Sequence, residues 1–263
     1  MNTFFKNKFD LVISIGEDCA CTSYLRRCNL QNFSYPFDWL TNAPIENRID
    51  LICNDFKDFL NPEDLEIMQK PTAFKADPKH DYYKNNKNEL YFWHDFPNET
   101  SFQSSYLKVS EKYQRRIERL YNDIENSQKI LFTWLSHTKL HSEDEIQEAY
   151  QKLNMKFKNK EIYLLVIENN IENKSVKLKD KHILIINHDT ITDDKKHHYD
   201  QTMGNKFNNL KVFSKIKLKT SFVGKLKRWL FAFCKLIIGL IPIKKTRQKL
   251  KSDLNMLFYH AKL

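Results

Sequence analysis

The residues best suited to covalent chemistry lie in DLVISIGEDCACTSYLRR, residues 10–27. An apolar run ends at Gly16, Glu17 and Asp18 follow, and Cys19 opens a segment of helical character. A thiol in the first turn of a helix sits among backbone N–H groups that have no partner within the helix. Those groups favour an anion, so they lower a thiol pKa and also hold the oxyanion formed on an attacked carbonyl. Thiol-based acyl transfer needs that placement. Cys19 would be the nucleophile, with the amides from Asp18 to Ala20 holding the oxyanion and Gly16 and Asp18 beside the substrate. The plainer reading is a small residue buried at a tight turn, since cysteine often serves packing alone.

A nucleophilic thiol needs a base, and the base needs an orienting group. Two pairs offer one. His94 and Asp95 end the segment YFWHDF. Neighbours on a strand point to opposite faces, so Asp95 orients His94 only if the strand has ended there. Asp194-x-x-His197 lies in DTITDDKKHHYDQ, in a loop where both side chains can converge. Each histidine taken alone also suits a surface or a satisfied position. Zinc on His94, His197 and His198 has no spacing to enforce it, and neither metal nor cofactor is expected. In SYPFDW, Asp38 and Trp39 could hold a polar ligand, or the aromatic cluster is core under a loop. Arg115 and Arg116 could bind an anionic substrate, or form a solvated helix face.

The elements that must position these groups read as follows. FDLVISI (9–15), KILFTWL (129–135), EIYLLVIEN (161–169) and KHILIINH (181–188) are apolar and rich in β-branched residues. They suit strands buried on both faces of a parallel sheet. Helical patterns fall between them: ACTSYLRRCNL, a stretch from Pro44 to Leu60, one from about Ser104 to Ser127, and EDEIQEAYQKLNMKF. ELYFWHDF is a short strand, and the polar stretch 68–88 is a surface excursion. Alternation of strand and helix predicts a three-layer α/β/α fold with a mainly parallel sheet. In such a sheet ligands bind beyond the carboxyl ends of the strands, and Cys19 lies there.

Composition excludes several classes. With four glycines and no GxGxxG or GxxxxGK[ST], a nucleotide loop is not expected. Five cysteines, an odd number without CxxC spacing, argue against a disulfide framework or a structural zinc. MNTFFKNKFD has no signal-peptide features, which predicts a cytoplasmic chain. The net charge of +10 is uneven: residues 205–252 hold fourteen Lys or Arg and no acid, leaving 29 basic against 33 acidic residues elsewhere. We therefore expect a domain over 1–204 and a basic amphipathic helical tail over 205–263. The apolar run 229–243 contains Lys235 and falls short of the roughly 20 residues of a spanning helix. It suits a segment lying on an anionic membrane, broken at Pro242, with a core helix as the alternative. Nucleic acid is not expected, because the residues between the charges are aliphatic.

SIGEDCACTSYLRR, NFSYPFDWL, YFWHDF and KYQRRIERL, in that order, resemble a bacterial family of unassigned function labelled papain-like cysteine peptidases. The resemblance covers roughly residues 9–190. It implies Cys19 as nucleophile, with His94 and Asp95 as base and orienter. The strand–turn–helix order is also similar to the SGNH hydrolases. Gly16-Glu17-Asp18-Cys19 would stand for that family's Gly-Asp-Ser block with a thiol, and Asp194-x-x-His197 for its late Asp-x-x-His. LIPIKKTRQKLK resembles tails on bacterial enzymes of surface-polysaccharide synthesis, which implies the inner face of the cytoplasmic membrane. The expected function is a thiol-dependent hydrolase or acyltransferase, with surface polysaccharide as its setting. The alternatives are a non-catalytic membrane-associated partner in glycan assembly and a glycan-modifying transferase that does not use the thiol.

Overall fold

A computed structural model describes residues 3–68, 78–191 and 209–219, with scattered positions between 230 and 254. The chain divides into two compact units, residues 1–218 and 219–263.

The first unit is mixed α/β with several sheets. Its largest sheet is built from the apolar runs: β2 (Leu11–Ser14), β7 (Lys129–Ser136), β8 (Glu161–Asn169) and β10 (Ile183–His188) are parallel, and β9 (Ser175–Leu178) is antiparallel at the β10 edge. The order is β2-β7-β8-β10-β9. Each long strand is buried along nearly its whole length, which is why the runs lack polar alternation. Successive side chains go to different cores. Ile130, Phe132 and Trp134 join one cluster, with Ile49, Tyr113 and Ile146 from helices α2 (Ile45–Cys53), α3 (Phe102–Glu125) and α4 (Glu143–Lys156). Leu131 and Leu135 join the other, with Tyr24 of α1 (Cys19–Arg27) and Phe213 of α5 (Asn209–Phe213).

Two expectations are corrected. The stretch 68–88 is not merely an excursion: β4 (Leu65–Met68) and β5 (His80–Asn85) join β6 (Leu90–Pro97) and β3 (Leu40–Asn42) in an antiparallel sheet of order β3-β6-β5-β4. Its polar residues still buy order locally, since Asn85 is buried and bonds Phe59 O and the amides of Lys87 and Asn88. The helix expected from Pro44 to Leu60 ends at Cys53, because Asp55, Phe56 and Asp58 adopt positive φ; Phe56 and Phe59 remain buried in the turns that follow.

A third, two-stranded sheet pairs β1 (Lys8–Phe9) in parallel with β11 (Lys217–Leu218). The first unit therefore extends past residue 204: Phe213 stacks on Tyr24 with ring centres 5.5 Å apart. In the second unit, Leu236 and Leu240 are exposed. Among the described residues no helix is long and apolar enough to cross a membrane.

Candidate functional site

The turn from β2 into α1 runs along β7. Ile15 N–H donates to Thr133 O and Glu17 N–H to Leu135 O, each at 2.9 Å, so residues 15–17 reach the carboxyl end of β7. Gly16 permits this: a Cβ there would lie 2.3 Å from Cys21 Cβ and 3.3 Å from Leu135 O. Asp18 is the N-cap, extended at φ −146°, and its Oδ1 accepts from Ala20 N–H at 2.8 Å. Cys19 is the first residue of the helix and is exposed. Cys21 serves packing instead. It is fully buried, its Sγ lies 3.4 Å from Thr133 O, and burial pushes its thiol up to about 11.

Glu17 is buried, and its carboxylate gathers the end of β7. Oε2 accepts from Ser136 Oγ at 2.7 Å, His137 N–H at 2.9 Å and Thr138 N–H at 3.1 Å; Oε1 accepts from Thr138 Oγ1. Burial alone would raise its pKa, but the donors from Thr138, Ser136 and His137 outweigh that and hold it below the usual value. From behind, the wholly buried Arg48 donates through Nη2 to Glu17 O at 2.9 Å.

This turn sets His137. Its Nδ1 lies 2.9 Å from Thr190 Oγ1, and Thr190 Oγ1 donates to Ser136 O at 3.1 Å. The single hydroxyl proton is spent on Ser136 O, so Thr190 accepts from His137 Nδ1–H. In the neutral ring the lone pair then sits on Nε2. Nε2 lies 4.0 Å from Asp18 Oδ2, beside the residue that precedes the thiol. An imidazole with a fixed tautomer and an exposed thiol at a helix N-terminus thus share one sheet edge.

Next to it, His141 lies between Glu168 Oε1 at 2.5 Å and Glu46 Oε2 at 3.4 Å, and Trp134 Nε1 also donates to Glu168. Burial would depress the imidazole, but the two carboxylates outweigh it and push it up to about 9. Among the described residues no group of His, Cys, Asp and Glu is arranged to hold a metal ion.

The other expected site residues fall elsewhere. His94 is exposed on β6, with its ring 6.2 Å from that of His80. Asp95 is buried against α3, where Lys112 Nζ and Tyr113 Oη take its two oxygens. The β5–β6 register shifts at these residues, and α3 takes both oxygens of Asp95, so Asp95 does not orient His94. Asp38 is not a ligand-facing group: it is wholly buried and accepts from Thr22 Oγ1, Gln31 Nε2 and Tyr35 N, tying α1 to the aromatic loop. Trp39 is half-buried, under the Arg26 guanidinium. Asp194, His197 and His198 lie outside the described residues.

Sequence reasoning missed Glu17, His137 and Thr190. A signal for His137 was present, since SHTKLHS follows directly on the strand KILFTWL, at the edge where a parallel sheet binds ligands.

These features define an α/β protein with an exposed thiol at a strand-to-helix turn. Residues 10–190 match the family described as "Putative papain-like cysteine peptidase (DUF1796)", and the chain belongs to that family. "Uncharacterized protein R408" of Acanthamoeba polyphaga mimivirus is 29% identical over 133 residues, covering 46% of this chain and 60% of that protein. The match thus spans less than two thirds of this viral relative. No solved structure matches the chain.

Proposed function

We propose that the first unit is a thiol-dependent hydrolase or acyltransferase in which His137 serves Cys19 as base. Cys19 attacks an acyl carbon, and the N-terminal amides of α1 receive the charge that develops on oxygen. His137 Nε2 takes the thiol proton and returns it to the leaving group, producing a thioester. Water then yields a hydrolase and another nucleophile a transferase. The observation that carries this reading is the Thr190-fixed tautomer of His137 beside the Cys19 turn. The two cores on opposite faces of the five-stranded sheet support a three-layer α/β/α description, with the site at the carboxyl edge as in SGNH-like layouts. For residues 219–263 we propose an interfacial segment on anionic membrane, which would hold the enzyme at a lipid surface. It is supported by exposed Leu236 and Leu240 within a basic stretch.

The test is Cys19 alkylation by iodoacetamide against pH, resolved by peptide mass spectrometry with Cys53 as reference. Reaction already fast near pH 6, slowed at least tenfold by His137→Ala, is expected. A Cys19 that reacts only above pH 8, with no change in the His137 variant, defeats the proposal.

A further inference from the structure

Two guanidinium groups converge on one residue of the aromatic loop. Arg26 Nη2 donates to Ser34 Oγ and Arg119 Nη1 to Ser34 O, each at 2.7 Å. Arg26 comes from the last turn of α1 and Arg119 from the second half of α3. Arg26 lies 5.3 Å over the half-buried Trp39 ring, with about a third of its side chain exposed. The carboxylates nearby are engaged. Asp38, 3.6 Å from Arg26, already accepts three hydrogen bonds, and Asp123, one turn beyond Arg119, accepts from Tyr35 Oη at 2.6 Å. Arg26 Nε is buried and has no acceptor among the described residues. Arg119 lies 5.7 Å over a second ring, that of Phe33. Bringing two cations together at Ser34 raises their mutual repulsion, and an added anion relieves it.

The position relative to the thiol is set by the helix. Cys19 and Arg26 are seven residues apart, two turns of α1, hence on one face and separated by about 10 Å of helix rise. Helical side chains lean toward the N-terminus, so Arg26 reaches back toward Cys19. A planar guanidinium stacked on an indole also offers its fork to an oxyanion.

We infer that Arg26 and Arg119, which meet at Ser34, form a subsite for an anionic group of the acyl substrate, a carboxylate or a phosphate, about two helical turns from the carbonyl that Cys19 attacks. The inference rests on the thiol reading above and adds a substrate class to it: acidic acyl compounds or acidic peptides.

The test compares two disulfide reagents at Cys19, in the full chain with Cys28, Cys53 and Cys234 replaced by Ser. Ellman's reagent carries carboxylates, whereas 4,4′-dithiodipyridine is neutral. At low salt, Arg26→Gln and Arg119→Gln should each cut the Ellman rate about three- to tenfold, the size expected for one charge removed at this range in a partly solvated site. The dithiodipyridine rate should hold. Arg115→Gln removes the same charge from the exposed face of α3, where Arg115 faces Glu111, and should leave the ratio of the two rates unchanged. In the unsubstituted subsite, inorganic phosphate or acetate should slow Ellman's reagent selectively, and the stronger competitor identifies the preferred oxyanion. A ratio unmoved by Arg26→Gln, Arg119→Gln and both anions overturns the subsite. If the Gln variants do not fold, the competition arm alone decides: no selective slowing overturns it. Failure of the nucleophile reading looks different, because both reagents are then slow at pH 6 whatever their ratio.

Discussion

Replacing Glu17 tests how the site is assembled. Its carboxylate accepts four hydrogen bonds from Ser136, His137 and Thr138 while almost wholly buried. A hydrogen bond to a charged group contributes about 1.5–3 kcal/mol, and these four share one short turn, so they do not add. Glu17→Ala strands the donors of that turn and should cost about 3–5 kcal/mol. Glu17→Gln keeps the shape. Its carbonyl can take the three donors at Oε2, its amide can face Thr138 Oγ1 with the hydroxyl turned to accept, and the loss should be about 1–2 kcal/mol of charge assistance. The pH dependence has a defined sign. The folded pKa is held below the usual value near 4.5, so the stabilisation is present above that value and is lost as pH falls through the folded pKa. Urea unfolding of wild type and Glu17→Gln should therefore differ by a constant amount above about pH 5.5 and converge as pH falls through the lowered folded pKa. Cys19 alkylation should slow in Glu17→Ala, where His137 loses its turn, and change little in Glu17→Gln. Equal stability of wild type and Glu17→Gln from pH 4 to 8, or an alkylation rate untouched by Glu17→Ala, would refute the view that this carboxylate builds the site.

Gly16→Ala forces a methyl to within 2.3 Å of Cys21 Cβ, which no rotamer relieves; urea denaturation should show a loss near the upper end of the ~1–3 kcal/mol range for overpacking, partly restored by adding Cys21→Gly. His141 is raised to about 9, so its ion pairs contribute fully below about pH 6.5 and fade as pH rises through 9. Thermal melts from pH 6 to 10 should show that decline in wild type and a flatter curve in Glu168→Gln. Vesicle co-sedimentation should require anionic lipid, weaken with salt, and vanish on deleting residues 219–263; binding to neutral vesicles of equal strength would remove the electrostatic part of the membrane proposal.

The buried strands were legible because their side chains face two cores, and β-branched runs such as EIYLLVIEN have no other use. The start of α1 was legible for a related reason: an apolar run, a glycine and an acidic N-cap can hardly be read otherwise. β4 and β5 were not legible, since their sheet carries polar side chains and its order comes from pairing with β6. The end of α2 depended on Asp55 and Phe56 taking positive φ, which local pattern does not report. At the site, Glu17 looked like half of an acidic pair; its role arises only when β2 and β7 lie side by side and bring residues 119–121 positions apart in sequence into one turn. His94 and Asp95 attracted attention as neighbours, yet Lys112 and Tyr113 of α3 take both oxygens of Asp95, contacts that no local pattern reports.

The pairing of Lys8–Phe9 with Lys217–Leu218 bears on how the chain comes to be folded. During synthesis the helix that carries Cys19 emerges early, but Phe213, which stacks on its Tyr24, is added almost two hundred residues later. Until then the part of the core around Tyr24 supplied by Val212, Phe213 and Ile216 is missing. Closing a loop of this length slows folding, and apolar surface exposed meanwhile is open to aggregation. The same delay reaches the helix that carries the thiol, because its Tyr24 gains its stacking partner only once residue 213 has been made.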